Sequence, residues 1–594
     1  MKWIVLLREK GWLEFPRAYL LCVLLAAVIA LPGLGMGFFV DDYFHIGTLE
    51  GGVIFARPFD LFLFSPGNPE IIRPFIARGP LPWWTLPEFK AHFLRPLSSA
   101  LIMLDHALFG RTAVWYHVHS ICWYLLLILV WGAILRKTLP GPVAVLALVI
   151  FAVDEVHWFP TIWLANRNAL VATVPALFGL YAHIRWREEA WKPGLPLSLA
   201  GYAVGLSGGE TALGVLAYLG VYELFGGLGS LRRRALALLP AVLLGVVYIS
   251  IYKTLGYGSY GSGSYLDPMA EPLAYLWNAP ARILALLAGL LLSLSADLWL
   301  LNPTVRLVQV SVGVLAVVLF AGLLGRAWKG IDAQQRRALK WMIPGALLSL
   351  LPVAATFPSS RLLLTASLGA SALVAVILAH WWPQRKPWRA RPFLNAVGYF
   401  LVAINLIVPV ILWPVESVIL EHFGRKANSV YLNAEIPPDL TERDRVVLLV
   451  AADPMSCLYP PIIRQIEGGY RFRYSWLALS AAPSAHRITR TDAKRIEVEV
   501  LSGSMLATEF ECLVRTPRAP FAPGDQVDLG DVKVTILDVN RTGPTRVAFE
   551  FDRSLDDPTL HFIMWKDNGL RRVVLPAVGE SMLIPRSNGL LSSW

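Results

Sequence analysis

The sequence predicts a polytopic α-helical membrane protein of about eleven spans plus interfacial helices, followed by an all-β domain outside the cytoplasm. Three observations predict it. The 594 residues are 56% hydrophobic and only 16% charged, and the apolar residues come in long uninterrupted runs, far more than a soluble core uses. The lysines and arginines behind the net charge of +11 concentrate in short loops between those runs, where they orient helices, so no nucleic-acid partner is expected. After about residue 427 the composition changes to short β-rich runs separated by turn signals. The expected division is therefore a membrane domain over 1–426 and a soluble extracytoplasmic domain over 427–594.

The first apolar run, 19–40, follows Lys2, Arg8, Lys10 and Arg17, which hold the N-terminus in the cytoplasm. It lacks a small-residue cleavage site and reads as a retained helix. Further spans are expected near 114–135, 141–155, 163–184, 195–208, 211–227, 235–252, 306–325, 341–357, 361–382 and 393–414. Basic clusters peg them to the inner side: Arg136-Lys137, then Arg185 with Arg187 and Lys192, Arg232-Arg233-Arg234, Arg326 to Lys340, and Arg385 to Arg391. The remaining apolar stretch, 273–301, breaks the parity as a crossing and is expected to be re-entrant, interfacial or buried among other helices.

Outside the membrane, the first loop (41–113) carries Pro58, Pro66, Pro69, Pro74, Pro80, Pro82 and Pro87 among aromatic residues, and its end, 91–109, reads as an amphipathic interfacial helix. The Gly/Ser/Tyr segment 257–265 reads as a lid or a linker. In the C-terminal region, strands are expected over 446–450, 496–501, 510–514, 532–539 and 546–551, with turns at Pro523-Gly524-Asp525 and Asp567-Asn568-Gly569, in a sandwich or barrel that serves as a structural or partner-binding cap. An extracytoplasmic setting would allow a Cys457–Cys512 disulfide.

Candidate chemistry gathers at the outer ends of the spans. Asp41-Asp42-Tyr43-Phe44-His45 follows the first span, and ionisable residues at a membrane edge are a site hypothesis. One carboxylate there can deprotonate an acceptor hydroxyl while its neighbour raises its basicity. Alternatively, Asp41, Asp42 and His45 could hold a hard divalent cation, Mg2+ or Mn2+, against a phosphate. The plain structural reading is that the acids cap the following helix. Asp154-Glu155 with His157, and Glu210 within Gly208-Gly209-Glu210-Thr211-Ala212, bring further carboxylates to the same side. Arg95, Arg167 and Arg361 are bidentate donors suited to a phosphate or pyrophosphate, although arginine at a helix end often only snorkels.

An ordered set of motifs resembles the GT-C glycosyltransferases, and within them the transmembrane O-mannosyltransferase-like branch and its bacterial relatives. It comprises Asp41-Asp42, Phe93-Leu94-Arg95-Pro96-Leu97, Leu104-Asp105-His106-Ala107-Leu108-Phe109-Gly110, Tyr116-His117-Val118-His119, Glu155-Val156-His157-Trp158, Trp163-Leu164-Ala165-Asn166-Arg167-Asn168-Ala169-Leu170, Ser207-Gly208-Gly209-Glu210-Thr211-Ala212, and Arg361-Leu362-Leu363-Leu364 with Ser367-Leu368-Gly369. The resemblance implies transfer of a sugar from a polyprenyl-phosphate donor to an acceptor hydroxyl at the outer face of a bacterial inner membrane, with inversion. The acceptor would be a glycan, lipid or protein.

By the same resemblance Asp41 is the general base with Asp42 second. Glu155 and Glu210 are further catalytic candidates, and Asp154, His157, His117, Arg95, Arg167 and Arg361 are substrate-binding candidates. The chain departs from the pattern in two places: Gly208-Gly209-Glu210 stands where relatives carry Ser-Lys-Glu, and the β-rich region replaces the tetratricopeptide repeats that often follow. Two other readings stay open, a lipid or solute transporter and a non-catalytic subunit for envelope polysaccharide assembly or export. Transporters tend to carry mid-membrane charges and internal repeats.

Overall fold

A chain whose backbone must satisfy its own hydrogen bonds in hydrocarbon folds into helices, and the computed structural model of the protein is built from them. It describes residues 16–51, 57, 59–384, 391–451, 453–470, 472–587 and 589–590. The expectations for Lys2, Arg8, Lys10, Pro58 and the 385–390 part of the last basic cluster lie outside these residues.

Among the described residues, seven helices are long and apolar enough to cross a membrane: Arg17–Gly35, Ala113–Thr138, Leu164–Glu189, Leu231–Thr254, Pro272–Leu292, Pro303–Ala327 and Pro392–Leu432. An eighth is reached if Gly141–Val153 and Glu155–Ile162, bent by 50° at Asp154, count as one span. Shorter apolar helices cover Pro96–Phe109, Ala212–Gly226 and Ala366–Trp382. The protein is a multi-pass membrane protein. Within the 273–301 stretch, Pro272–Leu292 forms a 21-residue helix that meets the length and composition of a span, started by Pro272 and ended at Ser293, with a 3-10 turn following at Ala296–Leu300.

Residue chemistry explains where these helices begin and how they pack. Asn302 accepts from the Val305 amide ahead of Pro303, and Asp332 and Gln335 form a reciprocal capping box. Between Asn168–Glu189 and Gly194–Gly208 the backbones approach closely, since a Cβ on Gly201 would lie 2.6 Å from the Pro175 carbonyl oxygen and one on Gly205 2.7 Å from that of Ala172. This is small-residue helix packing at a four-residue spacing. Two acids of the bundle are paired: Glu223 holds His183 and Arg187, and Glu188 holds Arg337.

The chain divides into two compact units, the first comprising Met1–Gly37, Leu94–Gly256 and Glu271–Glu421, the second Phe38–Phe93, Tyr257–Ala270 and His422–Trp594. The second unit holds three sheets. Strands β1 (Leu63–Pro66), β2 (Lys90–His92) and β3 (Gly258–Tyr260) form a small antiparallel sheet. The Gly/Ser/Tyr segment thus contributes a strand to this sheet, and beyond β3 the Gly263 amide donates to the Cys512 carbonyl and the Thr516 amide to that of Gly261.

The remaining strands are β4 (Arg445–Leu448), β5 (Ser475–Ala478), β6 (His486–Asp492), β7 (Arg495–Val500), β8 (Gln526–Asp528), β9 (Val532–Val539), β10 (Pro544–Phe551), β11 (Leu560–Lys566), β12 (Gly569–Arg572) and β13 (Ser581–Ile584). They form a six-stranded sheet ordered β13-β6-β7-β10-β9-β8 and a four-stranded sheet ordered β12-β11-β4-β5. Alternation in β7 buries Ile496, Val498 and Val500, and the β11–β12 turn places Asp567 and Asn568 both at positive φ, as a two-residue hairpin demands.

Two differences from expectation arise here. The helices Pro454–Leu458 and Pro460–Gly468 sit between the parallel strands β4 and β5, which need a crossover. The 510–514 segment is a 3-10 turn, because the buried Glu511 carboxylate accepts from the Leu506 and Thr508 amides and competes with strand pairing. No disulfide joins Cys457 and Cys512, and the Cys512 thiol donates to the Leu506 carbonyl.

Gly79 ends the helix Pro69–Arg78 at φ +98°, and a Cβ there would lie 1.5 Å from the Trp476 carbonyl oxygen. Gly79→Ala is expected to destabilise this unit by about 3–5 kcal/mol, combining left-handed strain with overpacking. Thermal unfolding of the full-length variant checks it, and an unchanged midpoint contradicts the packing.

Candidate functional site

In the first unit, the predicted outer residues separate into three groups. The first is a cleft of about 100 Å³ lined by Glu155, Trp158, Asp297, Arg361 and Glu416 among others. Glu155 reaches it because the chain bends at Asp154, whose carboxylate accepts from the Val156 amide at 3.2 Å and caps the short turn Glu155–His157. Glu155 Oε2 is buried without a hydrogen-bond partner among the described residues. Asp297 accepts from Ser359 Oγ at 2.5 Å and the Ser360 amide at 3.1 Å, which fixes the loop ahead of Arg361. Arg361 sits 5.3 Å over the Trp163 ring and donates to Asn166 Oδ1 at 3.4 Å. Three carboxyl groups and one guanidinium thus share a cleft edged by tryptophan, and a carboxylate oxygen without a protein donor is able to accept a substrate hydroxyl.

The second group pairs two predicted residues with each other. Arg95 Nε donates to Glu210 Oε2 at 2.9 Å, and the Tyr252 hydroxyl donates to the other Glu210 oxygen at 3.2 Å. The third is a buried network. Arg167 is 2% exposed, meets Asp105 at 2.6 Å and donates to the Tyr116 carbonyl. His119 Nδ1 donates to Asp105 at 2.7 Å while its Nε2 accepts from Trp123. Arg167 is therefore engaged in tying helices together. His157 is also buried, its Nε2 hydrogen-bonded to Ser367 Oγ, and His117 lies buried beside the backbone of Met36 and Gly37.

In the second unit, Asp41 and Asp42 open the helix Asp41–Leu49. The Tyr459 hydroxyl donates to Asp41 Oδ1 at 2.7 Å; burial, with the Asp41 charge beside it, holds that phenol protonated well above its ordinary range. Asp42 is buried and turns back to accept from the Phe39 amide at 2.9 Å. The His45 Nδ1 proton goes to the Leu61 carbonyl, and its ring packs 4.7 Å from that of Phe62. The neighbouring Tyr43 hydroxyl donates to Glu467 and accepts from Asn428. Among the described residues, no group of three or more His, Cys, Asp or Glu side chains is arranged to hold a metal ion, and Asp42 and His45 are directed at backbone groups.

Sequence reasoning named Asp105 only within a motif, without a role, and missed Asp297, Glu416, Tyr252 and Tyr459. Two carried a usable signal: Asp105 lies in an apolar helix, and Glu416 ends an apolar run beside Pro414, the setting in which an ionisable residue is expensive. Asp297 lay in the stretch whose crossing parity excluded, and the two tyrosines had no local marker.

No family model and no curated protein matches the chain. Among solved structures it is similar to the oligosaccharyltransferase of Archaeoglobus fulgidus tethered with an acceptor peptide containing the NVT sequon, at 14% identity and a TM-score of 0.36, over 79% of this chain and 64% of that one. The apo form of that enzyme gives 13% identity and 0.33, over 79% and 65%. ArnT from Cupriavidus metallidurans bound to undecaprenyl phosphate gives 13% identity and 0.36, over 77% of this chain and 89% of that one. The chain spans just under two thirds of the archaeal enzyme's length. None of these likenesses places the chain in a family.

Proposed function

We propose that the protein is an integral-membrane glycosyltransferase of the GT-C kind that moves a sugar from a polyprenyl-phosphate donor to an acceptor hydroxyl at the outer face of an inner membrane, with inversion. The Glu155 cleft carries this reading. There a buried carboxylate oxygen lacks a protein partner, a guanidinium stands ready for phosphate, and tryptophan offers a flat apolar face to a sugar. The ordered motifs that include Glu155, Arg361 and Asp41 support it.

In this reading a carboxylate takes the proton of the acceptor hydroxyl as its oxygen attacks the anomeric carbon, and the polyprenyl phosphate leaves from the opposite face of the sugar. Arg361 stabilises the negative charge gathering on the departing phosphate. Asp41 keeps the role of base that its motif position implies, with its carboxylate oriented by Tyr459. The C-terminal unit is a periplasmic module for acceptor choice.

The test is transfer from labelled polyprenyl-phosphate sugars to envelope acceptors by the purified full-length protein in lipid nanodiscs. Asp41→Asn is expected to slow transfer by about 10²–10⁴-fold. Equal rates remove Asp41 from the mechanism, and no transfer by the wild type with any donor sinks the enzyme reading.

A further inference from the structure

Away from the carboxylate cleft, a cavity of about 360 Å³ lies between the ends of the helices Pro303–Ala327, Ala366–Gln384 and Pro392–Val402. Its walls are apolar, with Leu323, Ile377 and Trp381 among them, and Arg326, His380 and Arg391 bring the opposite chemistry to the same space. Both arginines are exposed, while His380 and Trp381 are half-buried, so one side of the cavity is wet and cationic and the other greasy. No acidic side chain among the described residues lines it.

This last point separates Arg326 and Arg391 from other arginines of the unit. Arg187 is held by Glu223 and Arg337 by Glu188, whereas neither Arg326 nor Arg391 forms an ion pair among the described residues. The position is equally specific. Arg326 occupies the last turn of its helix and Arg391 directly precedes Pro392, so both stand at the ends of apolar helices, within basic clusters that the positive-inside rule sets in the cytoplasm.

We propose that this cavity binds an anionic glycerophospholipid of the cytoplasmic leaflet, with its phosphodiester between Arg326 and Arg391 and an acyl chain along Leu323, Ile377 and Trp381. Charge complementarity selects the anion: two guanidiniums without an ion pair among the described residues line the cavity. The apolar walls select a lipid over a free phosphate, which would gain nothing from them. The volume falls within the usual range of small-ligand sites. Binding here is independent of sugar transfer at the outer face, so the two proposals stand or fall separately.

The experiment is native mass spectrometry of the full-length protein, titrated with phosphatidylglycerol, with phosphatidylcholine of the same acyl chains, and with inorganic phosphate. Wild type is expected to retain phosphatidylglycerol over phosphatidylcholine. Arg326→Gln with Arg391→Gln is expected to weaken phosphatidylglycerol binding by about thirtyfold, whereas a charge-matched control, Arg232→Gln with Arg233→Gln, stays within about twofold of wild type. Leu323→Trp leaves both charges in place and fills the acyl wall, so it too is expected to lose the lipid, which guards against a folding defect in the double variant. Equal retention of the two lipids by wild type, an equal loss in the control, or displacement of the lipid by inorganic phosphate would each overturn the proposal.

Discussion

Glu155→Gln is expected to lower sugar transfer by about 10²–10⁴-fold, equivalent to roughly 3–5 kcal/mol of transition-state stabilisation. The substitution keeps the shape of the side chain and removes the carboxylate charge that holds a substrate hydroxyl, so a loss reports chemistry and not packing. Glu155 is the member of its cleft with a buried oxygen that has no protein partner, whereas Asp297 is already bonded to Ser359 and Ser360. Asp297→Asn should therefore act mainly through the order of the loop ahead of Arg361. Its expected signature is a raised KM with kcat reduced less than tenfold, while Glu155→Gln lowers kcat. Initial rates at several donor concentrations separate the two. Wild-type kcat in Glu155→Gln would leave the unpartnered oxygen without a catalytic role.

Much of the membrane part was legible because hydrocarbon imposes one rule on every span. Long apolar runs mark the helices, and basic loops end them, as at Arg136-Lys137 in the last turn of Ala113–Thr138. Parity is weaker for a single helix: Pro272–Leu292 is a continuous helix of span length in a stretch that counting set as re-entrant, interfacial or buried among other helices. Period-two patterning likewise located β7, β9 and β10, but no local pattern reveals that Lys90 pairs with Tyr260. That contact joins segments far apart in the chain, and only the folded backbone brings them together.

The candidate site was legible as a list of charged residues and not as partners. Arg95 and Glu210 were each singled out, yet nothing in their spacing shows that they bond to each other. Arg167 reads as a phosphate ligand until its carboxylate partner on another helix is seen. Glu155 stands out from Asp154 only through the bend, which spends one carboxylate on a backbone amide and leaves an oxygen of the next without a donor.

The Asp105–Arg167 pair carries the largest expected effect on stability. Asp105 is 1% exposed and Arg167 2%, and their atoms approach to 2.6 Å. The pair joins the helix Pro96–Phe109 to the residue that precedes Asn168–Glu189, and His119 links both to Ala113–Thr138. Forming such a pair has a net value near zero, because removing two charges from water costs about what their attraction returns. Breaking it is different. Asp105→Ala leaves a buried guanidinium and an imidazole donor facing no acceptor, and is expected to destabilise the protein by about 3–5 kcal/mol. Arg167→Met leaves the carboxylate with His119 alone and should cost somewhat less, because the imidazole N–H still donates to it. Asp105→Ala combined with Arg167→Met removes both charges and should recover much of the loss, so the double-mutant cycle is strongly non-additive. Thermal unfolding in detergent, followed for all four proteins, measures the coupling. Additive single effects would show that these charges act independently and that the helices are held by their apolar faces alone.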